Sequence, residues 1–149
     1  MVTHPSILLI EDSPGERELF RLALVQTGLN VTLCAEQDAE TAFRFLKEQA
    51  KVQAEAEWRY TGSTNPGAPT SPSTLTSIFP PLPCLILLDL HLRNQNGCDF
   101  LKRLRTDARF ATIPVIIFTT SDDQTDLAHC YANGANGYVV KPGTFAELI

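Results

Sequence analysis

Four short apolar runs in this chain each stop at a residue that can do chemistry. Ser6 to Ile10 (SILLI) runs into Glu11 and Asp12, Cys84 to Leu88 (CLILL) into Asp89, Pro114 to Phe118 (PVIIF) into Thr119, and Gly137 to Val140 (GYVV) into Lys141. Runs this short cannot make helices, and their continuous apolar character is that of strands covered on both faces, the pattern of a parallel sheet. Parallel strands point the same way, so the residues that end them gather along one edge of the sheet.

The segments between the runs read as helices. Ser13-Pro14-Gly15-Glu16 has the form of a capping box, with Pro at the first helical position. Leu19, Phe20, Ala23 and Leu24 then recur at helical spacing until Gly28. Val31 to Ala35 reads as a further strand, and Asp38 caps a second helix that turns Ala42, Phe43, Leu46 and Ala50 inward. Gly97 to Thr106 carries Phe100, Leu101 and Leu104 on one face. Ser121 with Gln124 resembles another capping box, opening a helix that ends near Asn133-Gly134, and Thr144 to Ile149 begins a fifth, truncated helix. Five buried strands alternating with helices predict an α/β fold, a flavodoxin-like doubly wound five-stranded parallel sheet in the order 2-1-3-4-5. Between helix 2 and strand 3, Thr61 to Pro83 holds six of the ten prolines among Ser, Thr and Gly. That composition predicts a mobile loop insertion inside a single domain spanning residues 1 to 149.

Twelve Lys plus Arg against 17 Asp plus Glu give 149 residues a net charge of -5 without a basic cluster. That balance argues against nucleic acid or an anionic membrane as partner. With no apolar run of membrane-spanning length and no basic, cleavable N-terminus, the expected location is cytoplasmic. Cys34, Cys84, Cys98 and Cys130 have no zinc-ligand spacing, and neither do His4, His91 and His129. The thiols are expected to be buried and reduced.

Glu11, Asp12 and Asp89, brought together at the sheet edge, repel one another unless a cation joins them. All-oxygen ligands with no Cys or His imidazole suit Mg²⁺. Lys141 adds a positive charge and Thr119 a hydroxyl donor, and the combination suits phosphoryl chemistry. In such a site a carboxylate can accept a phosphoryl group, because metal and ammonium neutralise the incoming oxygens.

These stretches together resemble the receiver domains of two-component response regulators. The matching segments are Leu8-Leu9-Ile10-Glu11-Asp12-Ser13, Leu87-Leu88-Asp89-Leu90 with Gly97 beyond it, Pro114 to Thr119, and Gly137 to Pro142. The resemblance implies that Asp89 is the phosphoacceptor, that Glu11, Asp12 and Asp89 hold Mg²⁺, and that the backbone carbonyl of His91 completes the protein ligands without the imidazole. It also implies that Thr119 and Lys141 bind the phosphoryl group and that Tyr138 is a switch aromatic that turns inward as Thr119 moves. The opening Ile10-Glu11-Asp12-Ser13-Pro14-Gly15 and Thr119-Thr120-Ser121 resemble the stand-alone regulators paired with phytochrome-type histidine kinases. Three departures stand out: Arg93 replaces the usual Pro, the Thr61 to Pro83 segment lengthens the chain, and the short last helix removes much of a face often used to dimerise.

The expected function is a single-domain receiver that accepts a phosphoryl group from a histidine kinase and signals through a downstream protein, or drains a relay as a phosphate sink. A homodimer is left open. One rival is a pseudo-receiver that works without phosphorylation. Another is an aspartate-nucleophile phosphatase of the haloacid dehalogenase type, which wants a second acid where His91 stands.

Overall fold

Branched and leucine-rich runs suit a pleated, two-sided environment, and in the computed structural model they pair as expected. The structure describes residues 4–61, 82–93 and 95–149. In chain order the elements are β1 (Ser6–Ile10), α1 (Pro14–Thr27), β2 (Thr32–Glu36), α2 (Ala39–Thr61), β3 (Leu85–Leu88), β4 (His91–Leu92), β5 (Gln95–Asn96), α3 (Gly97–Thr106), β6 (Val115–Thr119), α4 (Gln124–Ala132), β7 (Gly137–Val140) and α5 (Phe145–Leu148). Five strands form one parallel sheet in the order β2-β1-β3-β6-β7, the doubly wound order expected. A two-residue antiparallel hairpin, β4 with β5, intervenes directly after Asp89 and was not legible in the sequence.

Alternation within the strands divides the interior into two faces. Leu8, Ile10, Ile86, Leu88, Val115 and Ile117 join Phe43 and Leu46 of α2, Phe100, Leu101 and Leu104 of α3 and Cys130 of α4 in the main core. On the other face Phe118 meets Phe20 of α1 edge to face, with ring centroids 5.7 Å apart. Not every strand is buried as expected: β2 and β7 lie at the edges, and Val139 and Val140 are nearly half exposed.

Helix ends follow local chemistry with two corrections. Gly28 closes α1 in the left-handed region at φ 67°, where a side chain is costly. The Thr41 N–H donates to Asp38 Oδ1 at 2.7 Å, so Asp38 caps α2 as expected. Only half of the first capping box is made: the Glu16 N–H donates to Ser13 Oγ at 3.3 Å, but the Glu16 carboxylate is committed elsewhere. The second is displaced: Asp123 caps α4 by accepting from the Thr125 N–H at 2.6 Å, while the Ser121 hydroxyl donates to Asp126.

The expected Thr61 to Pro83 loop begins inside α2, which runs to Thr61, and residues 62–81 lie outside the described residues. Cys98 and Cys130 are buried free thiols with their sulfurs 3.5 Å apart, and burial and this contact push Cys130 up to about 12. Cys34 is half-buried and Cys84 exposed, so the expectation of uniformly buried thiols fails for these two. Among the described residues no helix is long and apolar enough to cross a membrane.

Candidate functional site

Register assembles the site. Ile10 lies opposite Leu88 in the β1–β3 pair, so the next residue on each strand, Glu11 and Asp89, emerge side by side at the sheet edge. Thr119 pairs with Val140 across β6 and β7, and the Lys141 N–H donates to the Thr119 carbonyl at 2.7 Å, carrying the lysine to the same edge. Ligand atoms of Glu11, Asp12 and Asp89 fall within 4.8 Å of one another. Glu11, Asp89 and Thr119 are all buried.

Close approach of the backbone sets the position of Asp89. A Cβ on Gly97 would stand 2.5 Å from the Asp89 carbonyl oxygen and 3.0 Å from the Leu90 Cα, so the first residue of α3 must be glycine for α3 to lie this near. The Gly97 N–H donates to the Leu90 carbonyl at 3.1 Å, and Asn96 caps α3 by accepting from the Cys98 N–H at 2.9 Å.

The Lys141 ammonium holds the site together. It donates to Glu11 Oε2 at 2.5 Å, to Asp89 Oδ2 at 3.0 Å and to the Glu16 carboxylate of α1. Burial works to lower the lysine, but these bonds outweigh it and raise it above its ordinary range. Burial likewise works to raise Asp89, and the hydrogen bond and charge of Lys141, with the His91 N–H and the Thr119 hydroxyl, overcome it and hold the carboxyl below its ordinary value. Asp89 is therefore a carboxylate at neutral pH, the form that can act as a nucleophile. Glu11 goes the other way: burial outweighs Lys141 and the Ser13 N–H, and its carboxyl rises to about 7.

The His91 N–H donates to Asp89 Oδ1 at 3.2 Å, and its imidazole, which the metal-ligand expectation leaves unused, places Nδ1 3.3 Å from Thr119 Oγ1. Tyr138 is half-buried against the main core and donates its hydroxyl to the Ser121 carbonyl at 2.9 Å, tying β7 to the loop after β6. Arg93, where the receiver pattern has Pro, places Nε 3.3 Å from Asp12 Oδ2. Arg17 donates to the Glu11 carbonyl at 2.6 Å.

Of the seven residues singled out from the sequence, Glu11, Asp12, Asp89, His91, Thr119 and Lys141 gather at the carboxyl ends of the strands, while Tyr138 lies within β7, opposite Ile117. Sequence reasoning missed Glu16 as a partner of Lys141. The only signal was its place three residues after Ser13, which pointed to a cap instead. Hard oxygen donors in the triad of Glu11, Asp12 and Asp89, one of them carrying the cost of a buried charge, fit a divalent cation such as Mg²⁺ or Mn²⁺.

Known proteins share the family and the fold. The family model for the response regulator receiver domain matches residues 70–149. Response regulator Rcp1 of Synechocystis sp. is 28% identical over 142 residues, covering 95% of this chain and 80% of Rcp1. The probable methanogenesis regulatory protein FilR2 of Methanothrix harundinacea is 39% identical over 67 residues, 45% of this chain and 43% of FilR2, so the match spans less than half of that relative. Among solved structures, the phosphorylated cyanobacterial phytochrome response regulator RcpA superposes with a TM-score of 0.70 at 25% identity, covering 97% of this chain and 86% of RcpA. The Mn²⁺-bound form of Rcp1 gives 0.69 at 27% identity with the same coverage.

Proposed function

The chain belongs to the response regulator receiver domain family, and from that premise we propose that it accepts a phosphoryl group on Asp89 from a histidine kinase of the phytochrome-associated type. Glu11, Asp12, Asp89 and the backbone carbonyl of His91 would hold Mg²⁺, which when bound would supply charge neutralisation and alignment to the transferring phosphoryl group. A carboxylate oxygen of Asp89 forms the new bond to phosphorus as the donor's phosphorus–nitrogen bond breaks, and the donor imidazole keeps the electron pair. Lys141 bonds a phosphoryl oxygen and Thr119 another. The protein works in the cytoplasm and passes the signal on through a protein partner whose binding depends on the phosphorylated form.

One observation carries this reading: Asp89 is buried yet held ionised by Lys141, beside two further acids that fit a cation. A structural carboxylate has no need of that company. The resemblance to RcpA and Rcp1 over nearly the whole chain favours the phytochrome-associated class of kinase.

The test is intact mass after incubation with acetyl phosphate, with and without Mg²⁺. Wild type is expected to gain one phosphoryl group only with Mg²⁺, and Asp89→Asn to gain none. Thr119→Ala should still gain it but lose the phosphorylation-dependent change in hydrogen exchange across α4. Failure of wild type to gain the group from acetyl phosphate and from a panel of histidine kinases overturns the proposal. Turnover of generic phosphate esters would replace it with a phosphatase.

A further inference from the structure

An ammonium has three N–H donors, and Lys141 spends them on Glu11, Asp89 and Glu16. A lysine saturated with carboxylates has nothing to offer a phosphoryl oxygen until one partner leaves. Glu11 is buried and also bonded by the Ser13 N–H at 3.0 Å, and Asp89 is buried and bonded by the His91 N–H. Glu16 is different: its side chain is 43% exposed, it lies outside the acid triad, and it borders a cavity of about 220 Å³ lined also by Phe20, Phe118, Pro142 and Phe145. Water is at hand to solvate it and space to receive it.

We propose that Glu16 is a positioning residue that occupies Lys141 in the resting site and is exchanged for a phosphoryl oxygen when Asp89 is phosphorylated. This rests on the assignment of Asp89 as phosphoacceptor and goes beyond it, because it adds a competitor from outside the acid triad. The first turn of α1 is where the exchange is felt. Glu16 stands three residues after the N-cap Ser13, the position from which a glutamate can turn back to the cap N–H and complete the half-made capping box. In the resting site that N–H is taken by Glu11.

Competition has a direction. Removing the Glu16 charge frees a donor on Lys141 and removes an anion that shares this ammonium with Asp89, so phosphorylation by an anionic donor should become faster. The experiment compares wild type, Glu16→Gln and Glu18→Gln with acetyl phosphate and Mg²⁺, following phosphoryl gain by intact mass at several donor concentrations. Glu18 is the control for general charge, since it pairs with Arg21 on the surface of the same helix. Glu16→Gln is expected to react about two- to fivefold faster, the weight of a partly exposed ion pair, with a lower half-saturating donor concentration, and Glu18→Gln to match wild type. Damage to the fold does not produce such a gain. In the protein without metal, hydrogen exchange of the Lys141 ammonium, read by nitrogen-15 NMR, should be faster in Glu16→Gln. Unchanged exchange, or phosphorylation equal to or slower than wild type, overturns the exchange while the function of Asp89 stands on the wild-type gain. A wild type that gains no phosphoryl group overturns both.

Discussion

At the scale of single residues, burial and pairing pull two neighbouring carboxyls apart, and the separation can be measured. Asp89 is held ionised, whereas Glu11 rises to about 7. A carboxyl raised by folding binds its proton more tightly in the fold than in the open chain. Its contribution is therefore fully present below its ordinary value and lost as pH rises through about 7. Glu11→Gln in the presence of a chelator should be more stable than wild type at pH 8 by about 1 to 2 kcal/mol, and the gap should close by pH 5, read as urea midpoints. A mutant less stable at pH 8 would mean that pairing with Lys141 outweighs burial. The acids themselves were legible in the sequence because each stops an apolar run. Glu16 and the His91 ring were not, because the partner of each side chain comes from a distant strand, Lys141 in one case and Thr119 in the other.

At the scale of elements, the junction between the hairpin and α3 is the place where backbone and chemistry meet most tightly. Gly97→Ala drives a Cβ into the Asp89 carbonyl, and neither neighbour is a flexible side chain that could give way. The expected loss is about 2 kcal/mol or more, with a lower rate of phosphoryl gain by Asp89, measured by chemical denaturation and intact mass. Unchanged values in both would show that α3 can move outward at no cost. The strands of the main sheet were readable because parallel burial leaves unbroken apolar runs. The hairpin was not, because two-residue strands of His91-Leu92 and Gln95-Asn96 carry no periodicity to read. Nor was the cap of α4: Ser121 and Asp123 are both good caps by type, and only the path of the loop decides that Asp123 bonds the helix while Ser121 turns to Asp126.

Taken whole, the molecule buries its two faces unequally: most of the buried apolar side chains among the described residues lie in the main core, whereas Leu9, Ala23 and Leu87 are buried outside it. Leu101 has no exposed surface in the main core, while Leu19, on α1 across the sheet, is 47% exposed. Leu101→Ala should cost about 3 to 5 kcal/mol and Leu19→Ala under 1 kcal/mol, compared by urea denaturation. Similar costs would show α1 to be sealed in solution by something further. The layered architecture was legible from the order of strands and helices, but the exposure of the edge strands was not, because Gly137-Tyr138-Val139-Val140 reads the same at an edge as at the centre.

The length of α2 has a practical consequence. Its 23 residues rise about 34 Å, roughly twice the length of a five-residue strand, so its last turns overhang the sheet. The chain's single tryptophan, Trp58, sits on that overhang and is 74% exposed. Its fluorescence is thus blind to the carboxylate cluster: a change in emission would signal an encounter at the far end of α2, and a silent tryptophan is no sign that the site is idle.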